Sequence, residues 1–372
     1  MNAHVVVAGA GYAGVVAAKR LLSRKPSLRV TVVNPRPEFV ERIRLHQLAA
    51  GNHPATQPLS ATLHPQAQLV IGVVASIDAL GRAVRVADGD AISYDYLIYA
   101  VGSNTRLDHI AGAGEHAFTV GEYGSAQALR LRVADLAVGT AIVVVGGGLT
   151  GIETAAELAE QLPELSLTLV SSGRIADGLH DKARTRILRA LAAHSVDVVE
   201  GGRVIRVDRR TVELADGRIL DSACTIVATE STAPALARRS GLPTDENGRL
   251  LVDVTLTCPD WPSIVGAGDA IAIDGKPLRM SCQAAIPLGV HAADTLLRRI
   301  EGTAPTPVDP TFVARCVSLG RRAGVIQRTD ASDNPRNTVI SGRMGALIKE
   351  QVCASTLNWG VNPRRPVLST WS

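Results

Sequence analysis

The chain has few aromatic residues and no paired cysteines. Phenylalanine, tyrosine and tryptophan make up 3% of its 372 residues, whereas apolar residues make up 46%. The cores must therefore be aliphatic, as they often are around parallel sheets. Its cysteines are far apart and show no C-x-x-C or metal-like spacing: Cys224, Cys258, Cys282, Cys316 and Cys353. This spacing predicts no metal site and is typical of reduced cysteines in a cytoplasmic protein.

Long apolar runs and strong net charge are absent as well. No run of about 18 apolar residues occurs, so no membrane-spanning helix is expected. The apolar N-terminus resembles the core of a signal peptide but lacks a basic flank. The formal net charge is only +4, and no stripe of basic and aromatic residues appears. These features argue against nucleic acid as a partner.

The stretch His4–Ala18 combines a strand, a glycine turn and the start of a helix. Val5–Ala8 is a short β-branched run of the kind buried on both faces of a parallel sheet. Glycines then follow in the spacing G-x-G-x-x-G, at Gly9, Gly11 and Gly14. The first allows a tight turn, the second lets the backbone approach a pyrophosphate, and the third lets the helix pack close to the strand. The pattern predicts a dinucleotide site whose phosphates lie at the helix N-terminus.

The same plan occurs a second time. Thr140–Val145 is an apolar strand, Ile152–Leu162 has a helical pattern, and between them lie Gly146, Gly148 and Gly151. Each copy continues with a strand, a β-meander and a closing strand. This internal repeat predicts an α/β fold with two nested Rossmann-like dinucleotide-binding domains, each a three-layer unit of parallel sheet plus β-meander. A small α+β domain follows the proline-rich stretch Pro305–Pro310.

The pattern also predicts boundaries for domains and elements. The first domain takes residues 1–112 and 253–303, the second 113–252, and the C-terminal domain 304–372. Expected elements include a strand over Leu69–Ile77, a helix over Met280–Arg299, and C-terminal strands over Phe312–Leu319 and Gly324–Gln327. Lys19 and Arg20 should lie on the polar face of the first helix. Glu38–Gln47 is charged and amphipathic, and is expected to present a solvated helix face or to turn Arg42 and His46 toward a cofactor.

Two nested glycine turns followed by Gly268-Asp269 resemble the two-domain flavoproteins of the pyridine nucleotide–disulfide oxidoreductase superfamily, over nearly the whole chain. The resemblance implies that the first turn binds the FAD pyrophosphate and the second binds NAD(P)H. It also implies that Asp269 lies near the FAD ribityl chain and pyrophosphate. The strand end Ala100-Val101-Gly102 matches the A-x-G element that this superfamily places close to the flavin.

The chain lacks the redox-active cysteine pair of the disulfide reductases, and within this superfamily it resembles the type II NADH dehydrogenases. The segment Gly146–Glu153 matches their NADH-binding segment, including Thr150 and Glu153. The segment Cys282–Gly289 aligns with their A-Q-x-A-x-Q-Q-G element, with Pro287-Leu288 in place of the Gln-Gln pair. The resemblance implies an oxidoreductase that passes a hydride from NAD(P)H to FAD, and then electrons to a small acceptor such as a quinone.

Three residues are candidates for a catalytic role. Glu153 would hold a proton or position the nicotinamide, and Gln283 would place an N–H near the flavin C2 carbonyl at a helix start. His46 would face the cofactor. The expected cofactor-binding residues are Gly9, Gly11, Tyr12, Ala13, Gly14, Asn34, Pro35, Arg36, Arg42, Val74, Ala100, Val101, Gly102, Gly268, Asp269, Gln283, Ala284, Gly146, Gly148, Leu149, Thr150, Gly151, Ser171, Arg174 and Glu230.

Some of these positions depart from the family pattern. Asn34 stands where an acidic residue often holds the ribose hydroxyls, although an amide can also hydrogen-bond a ribose. Ser171 and Arg174 would tolerate a 2′-phosphate, so NADPH is as plausible as NADH. Glu230 replaces a glycine near the nicotinamide. If the Glu230 side chain points inward, it weakens nicotinamide binding, and Glu230→Gly would tighten that binding several-fold. If it points to solvent, the substitution would leave nicotinamide binding unchanged.

Two alternative functions remain open at this point. The chain fits a specialised biosynthetic oxidase or dehydrogenase that keeps FAD but uses nicotinamide poorly, a reading motivated by Glu230 and Pro287-Leu288. It also fits a non-catalytic flavoprotein that resembles apoptosis-inducing factors. The expected partners are a small electron acceptor or organic substrate, with a homodimer as an open possibility. No amphipathic membrane-docking helix is expected within Asn358–Ser372, which supports the cytoplasmic location.

Overall fold

The computed structural model describes residues 3–366. A first sheet of six strands forms around the N-terminal strand, which is central because its residues are apolar on both faces and fully buried. All neighbouring strands pair in parallel except the two at one edge. The spatial order is Thr257–Cys258, Trp261–Gly266, Tyr96–Tyr99, His4–Ala8, Arg29–Asn34 and Gln68–Ile71.

A second sheet repeats this plan with five parallel strands. Its order is Ala117–Thr119, Cys224–Val227, Ala141–Val145, Ser166–Val170 and Asp197–Val199. Each sheet has a three-stranded antiparallel meander attached to it. The first meander is Val74–Asp78, Ala83–Val86 and Ala91–Ser93, and the second is Val204–Val207, Thr211–Leu214 and Ile219–Asp221. The predicted α/β class and its internal repeat are confirmed.

Helices cover the sheets and connect them. Those of eight residues or more within residues 3–366 are Tyr12–Arg24, Tyr123–Ala134, Leu149–Gln161, Asp181–Ala193, Cys282–Ile300 and Arg343–Ser355. Shorter helical segments are Arg42–Arg44, Leu45–Ala49, Leu59–Thr62, Ala113–His116, Leu236–Arg239, Gly268–Ala270 and the π-helix Thr356–Val361. None of the helices in this part of the chain is long and apolar enough to cross a membrane.

The remaining strands form small sheets. Glu38–Val40 pairs with Thr56–Pro58, and Leu250–Val252 pairs with Ile271–Ile273. Asn104–Thr105 pairs with Ser231–Thr232 and so ties the segment after the first sheet to the segment after the second. The boundaries of the three domains stay a prediction.

The C-terminal region packs on both dinucleotide-type units. Its antiparallel sheet is Ala314–Ser318, Gly324–Thr329 and Pro335–Gly342. Val317 and Val325 belong to the apolar core beneath the second sheet, whereas Phe312 and Val361 belong to the core of the first. This region therefore helps to fix the two units relative to each other.

Two predictions about individual elements are wrong in detail, and one helix has no counterpart among the predictions. Leu69–Ile77 is two strands, because the chain leaves the parallel sheet at Gly72 and enters the meander at Val74. Glu38–Gln47 is not a solvated helix: it begins as a strand with Phe39 in the core, and Arg44 and His46 are buried. The helix Arg343–Ser355, which has exposed apolar side chains, has no counterpart among the predicted elements. It precedes Asn358–Ser372, the segment expected to contain no amphipathic helix, and residues 367–372 of that segment lie outside the described range.

Lys19 is a further exception to the expected polar face of the first helix. It is only 2% exposed, and its ammonium donates to the backbone oxygen of Gly360 at 3.0 Å. Its neighbour Arg20 is partly exposed and forms an ion pair of 2.8 Å with Asp294. Burial lowers the pKa of Lys19 to about 8. Lys19 thus anchors the π-helix Thr356–Val361 to the first helix.

Because Lys19 is buried, we expect its contribution to the free energy of unfolding to increase as the pH rises above about 8. Between pH 8 and the higher pKa of an unfolded lysine, the unfolded chain binds the proton that folded Lys19 has released. The free energy of unfolding of the natural protein should therefore rise over that range relative to Lys19→Met. Urea unfolding of both proteins across the range measures the difference. A difference that falls or stays constant would contradict the buried amine.

Candidate functional site

The first glycine turn contains two glycines that the fold requires and one that it does not. Gly9 has φ +103°, and a Cβ there would lie 2.4 Å from the backbone oxygen of Ala100. A Cβ at Gly14 would lie 1.9 Å from the backbone oxygen of Gly9. Gly11 has φ −78° and ψ −169°, which any residue adopts, and a Cβ there would have no atom of residues 3–366 within 4 Å. The open space at Gly11 is a feature of a binding site.

A groove of about 520 Å³ runs from this turn along the carboxyl end of the first sheet. The helix Tyr12–Arg24 points its N-terminus into the groove with no side-chain cap and no acidic residue in its first turn, which suits an anionic group. The predicted residues that line the groove are Gly9, Gly11, Tyr12, Ala13, Asn34, Pro35, Arg36, Arg42, Val74, Ala100, Val101, Gly102, Gly268 and Asp269. Gly14 packs beneath the turn instead.

A chain of polar contacts crosses the far side of the groove. Arg42 donates to the Ser103 hydroxyl at 3.2 Å, and Ser103 donates to the Asp269 carboxylate at 3.1 Å. Arg42 and Asp269 lie 3.9 Å apart. Ser103 is a site residue that the sequence analysis missed, because serine after a strand is too common to stand out. These contacts hold the Asp269 carboxylate in place at the groove wall.

Asn34 supports the turn from behind. Its side-chain oxygen accepts from the backbone N–H of Ala10 at 3.0 Å, and its nitrogen donates to the backbone oxygen of Arg36 at 2.7 Å. Arg36 in turn stacks over the ring of Tyr123 at 5.6 Å. Tyr123 also lines the groove and was not predicted. This end of the groove therefore offers a cation and an aromatic face to a flat ligand group.

The second glycine turn reproduces the first. Gly146 has φ +130° and would place a Cβ 2.4 Å from the backbone oxygen of Ala228, and Gly151 would place one 1.9 Å from the backbone oxygen of Gly146. Gly148 has φ −76° and ψ 178°, and among the described residues no atom would lie within 4 Å of a Cβ there. Leu149 and Thr150 begin the helix Leu149–Gln161, whose N-terminus also lacks a side-chain cap.

Ser171 and Arg174, the residues predicted to lie near the ribose of the nicotinamide cofactor, occupy the loop after the strand Ser166–Val170. Ser171 is 8% exposed, and its hydroxyl would be 2.4 Å from a Cβ at Gly147, so it packs directly against the turn. Arg174 is exposed and pairs with Asp181 at 3.2 Å. Glu200, which was not predicted, accepts from the backbone N–H of Ile175 and pairs with Arg184. The loop after Ser166–Val170 is thus fixed by its own contacts.

Glu153 lies in a buried ion pair with the C-terminal helix. Its carboxylate is 2.9 Å from the Lys349 ammonium and accepts from the backbone N–H of Ser318, also at 2.9 Å. Burial would raise the pKa of Glu153, but Lys349 and the Ser318 N–H outweigh it, so the pKa lies below its usual value. The pKa of Lys349 is raised by the same pair. Glu153 is therefore a carboxylate at neutral pH.

His46 does not line the groove. It is 4% exposed and lies 4.0 Å from the Glu157 carboxylate, and its Nε2 atom has no hydrogen-bond partner among the described residues. Burial lowers its pKa to about 4, and Lys349 adds to this shift. His46 is therefore neutral in a buried cluster of charges between the helices Leu45–Ala49 and Leu149–Gln161.

Gln283 turns its side chain away from the groove. In the amide orientation that satisfies both atoms, its nitrogen donates to the backbone oxygen of Ala314 and its oxygen accepts from the backbone N–H of Val313, each at 3.0 Å. The side chain thus fixes the start of a C-terminal strand to the helix Cys282–Ile300. Ala284 faces a smaller cavity on the other side of Asp269, while the next residue, Ala285, reaches the groove.

Glu230 points outward. Its side chain is 76% exposed and lies 4.0 Å from the Arg106 guanidinium, while its backbone oxygen accepts from the backbone N–H of Arg106. This geometry therefore does not favour the hypothesis in which Glu230 crowds the nicotinamide.

We expect Glu230→Gly to change the dissociation constant for NADH by less than about twofold, because exposed charges contribute little. Equilibrium titration of both proteins checks this, and a several-fold tightening would contradict the outward orientation.

The Glu153–Lys349 pair should dominate the stability of the C-terminal contact. Lys349→Met leaves a buried carboxylate without its cation, which costs about 3–5 kcal/mol. The double variant Lys349→Met/Glu153→Gln should recover most of the lost free energy of unfolding. In Lys349→Met alone, the loss of unfolding free energy should become smaller at acidic pH, because Glu153 then takes up a proton. Urea unfolding of the natural protein and the three variants measures the cycle. Equal losses in the single and double variants would show that the charges are not coupled.

Comparison with known proteins finds relatives along most of the chain. Residues 3–289 match the family described as pyridine nucleotide-disulphide oxidoreductase. An NADH dehydrogenase-like protein of Mycobacterium tuberculosis is 32% identical over 313 residues, which cover 77% of this chain and 78% of that protein. A type II NADH:quinone oxidoreductase of the same species is 27% identical, over 82% of this chain and 74% of that protein.

Solved structures share the fold at lower identity. NDH2 from Plasmodium falciparum in complex with NADH superposes with a TM-score of 0.83 at 15% identity, covering 97% of this chain and 96% of that one. A sulfide:quinone oxidoreductase from Aquifex aeolicus superposes with a TM-score of 0.82 at 20% identity, covering 97% and 92%. At these identities the likeness establishes the common architecture.

Proposed function

This chain belongs to the pyridine nucleotide-disulphide oxidoreductase family, and from that premise we propose that it passes a hydride from NAD(P)H to FAD and then two electrons to a small quinone-type acceptor. It is an oxidoreductase enzyme with FAD and NADH as the cofactors of its family. The resemblance seen in its glycine turns is confirmed. Which residues hold each cofactor, and which acceptor is used, are the parts we propose.

The observation that carries the proposal is the pair of glycines that the fold does not need. Gly11 and Gly148 each have ordinary backbone angles and open space where a side chain would project. Each stands at the uncapped N-terminus of a thirteen-residue helix. A pyrophosphate needs this combination, because it must approach the backbone closely and accept hydrogen bonds from free N–H groups.

The residues present fit FAD in the first groove. The N-terminus of Tyr12–Arg24 would bind the pyrophosphate, and Asp269, held by Ser103 and Arg42, would accept hydrogen bonds from sugar-alcohol hydroxyls. Arg36 and Tyr123 would flank the adenine end. FAD, when bound, supplies the hydride and electron chemistry. Gln283 would act only as a positioning residue for the helix Cys282–Ile300, because its side-chain amide bonds to the backbone of Val313 and Ala314.

The second turn would hold the nicotinamide cofactor. Gly148 would admit its pyrophosphate, and Glu153, just over one turn further along the same helix, would help to position the nicotinamide end. Lys349 holds the Glu153 carboxylate in place. Ser171 supplies no acidic side chain against a 2′-phosphate, so we expect both NADH and NADPH to be used.

Acceptor-dependent turnover tests this function. The purified protein with its FAD should oxidise NADH slowly alone and much faster when menadione is added, as followed by loss of NADH absorbance. The names of the quinone oxidoreductase relatives support a quinone-type acceptor. NADH oxidation that menadione does not accelerate would exclude this acceptor class, and no oxidation with any acceptor would overturn the proposal.

A further inference from the structure

A further cavity lies on the other side of the turn Arg42–Arg44. Arg42 faces the groove described above, whereas Arg44, two residues later, faces a cavity of about 690 Å³. Its walls come from the segment around Arg44, the loop around Gly320 and the first turns of the helix Arg343–Ser355. Lys349, which holds Glu153 in place, reaches this cavity, but the residues assigned to direct contact with the two dinucleotides do not line it.

Most of the charge around this cavity is already paired. Arg44 pairs with Glu350 at 2.5 Å, and Arg321 pairs with the buried Glu157 at 2.9 Å. Lys349 pairs with Glu153. His53 adds no cation at neutral pH, since burial and the nearby Arg44 lower its pKa. The charged side chains on the inner wall of this cavity are therefore already paired with opposite charges.

Two arginines that line the cavity are not paired in this way. Arg322 and Arg343 are both exposed, and within residues 3–366 neither has a carboxylate within 4.0 Å. Arg343 is also the first residue of its helix, whose first turn has no acidic residue and whose N-terminus has no side-chain cap from the described part of the chain. Two free guanidinium groups and a helix N-terminus thus face one space, and each of them favours a negative charge.

The cavity also has an apolar side. Ala346 and Leu347, on the first turns of the same helix, complete its wall, and Leu347 is 62% exposed. A ligand that satisfies both sides carries an anionic group and an apolar body. A free inorganic ion would leave Leu347 uncovered, and a neutral apolar molecule would leave both guanidinium groups unmatched.

From this arrangement we infer that the cavity beside Arg44 is a separate binding site for a small organic anion, held at its charged end by Arg322 and Arg343 and at its apolar end by Leu347. The site is distinct from both dinucleotide grooves, and its ligand belongs to the class of aromatic or aliphatic carboxylates, or of phosphate esters of similar shape. The inference does not depend on which electron acceptor the enzyme uses.

Calorimetric titration with a matched pair of probes tests the inference. Naphthoate should bind the FAD-containing protein with one saturable site, and its neutral analogue naphthamide should bind about tenfold more weakly. The double variant Arg322→Gln/Arg343→Gln should lose that preference while binding naphthamide as before. Both side chains are exposed, so this variant should fold normally.

A control variant and a competition experiment make the result decisive. Arg209→Gln/Arg210→Gln removes the same charge from an exposed turn outside the cavity and should bind naphthoate like the natural protein. Saturating NAD⁺ should leave naphthoate binding intact. Equal binding of the two probes, equal loss in both double variants, or displacement by NAD⁺ would each overturn the inference. The last result would place the anion at the second glycine turn.

Discussion

Replacing Gly11 by valine should give a folded but colourless protein. The backbone at Gly11 has φ −78° and ψ −169°, and a Cβ there meets nothing within 4 Å, so the valine is accommodated in the absence of ligand. Its methyl groups would then occupy the space into which the FAD pyrophosphate must come. We expect nearly all FAD to be lost on purification, as measured by the flavin-to-protein absorbance ratio.

Two matched substitutions show whether this loss is specific. Gly114→Val adds the same side chain at an exposed position with nothing within 4 Å and should keep full FAD content. Gly14→Val should fail to fold, because its Cβ would lie 1.9 Å from the backbone oxygen of Gly9. Circular dichroism separates the two kinds of failure. A yellow, fully loaded Gly11→Val protein would contradict the assignment of this turn.

Replacing Gly148 by valine should produce the complementary defect. The geometry of Gly148 matches that of Gly11, with φ −76°, ψ 178° and open space around the missing side chain. The variant should keep its FAD, because the first groove is untouched. Its affinity for NADH should fall by about a hundredfold, or about 3 kcal/mol, since the second pyrophosphate can no longer approach the helix N-terminus.

Anaerobic reduction of the flavin at several NADH concentrations measures this effect. The Gly114→Val protein again serves as the control and should be reduced like the natural protein. Unchanged reduction in Gly148→Val would mean that NADH binds elsewhere. Loss of both FAD and NADH in this variant would mean that the two turns do not divide the cofactors as proposed.

The sequence was most informative where structure depends on neighbours in the chain. Each glycine turn is a local pattern of strand, spacing and helix. The structure contains both turns, with positive φ at Gly9 and Gly146 and nearly equal backbone angles at Gly11 and Gly148. The β-meander predicted for the second copy is also present and includes the strands Val204–Val207 and Thr211–Leu214. Local sterics and alternation decide such elements, so they can be predicted without knowledge of the tertiary fold.

The contacts that were missed join residues far apart in the sequence. Nothing local to Glu153 indicates that Lys349 will neutralise it, and nothing local to Gln283 indicates that Val313 and Ala314 will occupy its amide. The charged segment that contains Arg44 looked like a solvated surface because its partner Glu350 comes from the C-terminal helix. Charge alone does not reveal burial when the neutralising partner is distant.

One measurement tests the central claim most directly. The natural protein, purified with its FAD, is titrated anaerobically with NADH while the visible flavin absorbance is recorded. The proposed function predicts that this absorbance is bleached rapidly and that one equivalent of NADH per flavin is enough, because a hydride carries the two electrons that FAD accepts. A flavin band that stays unbleached with excess NADH and excess NADPH would contradict an NAD(P)H oxidoreductase.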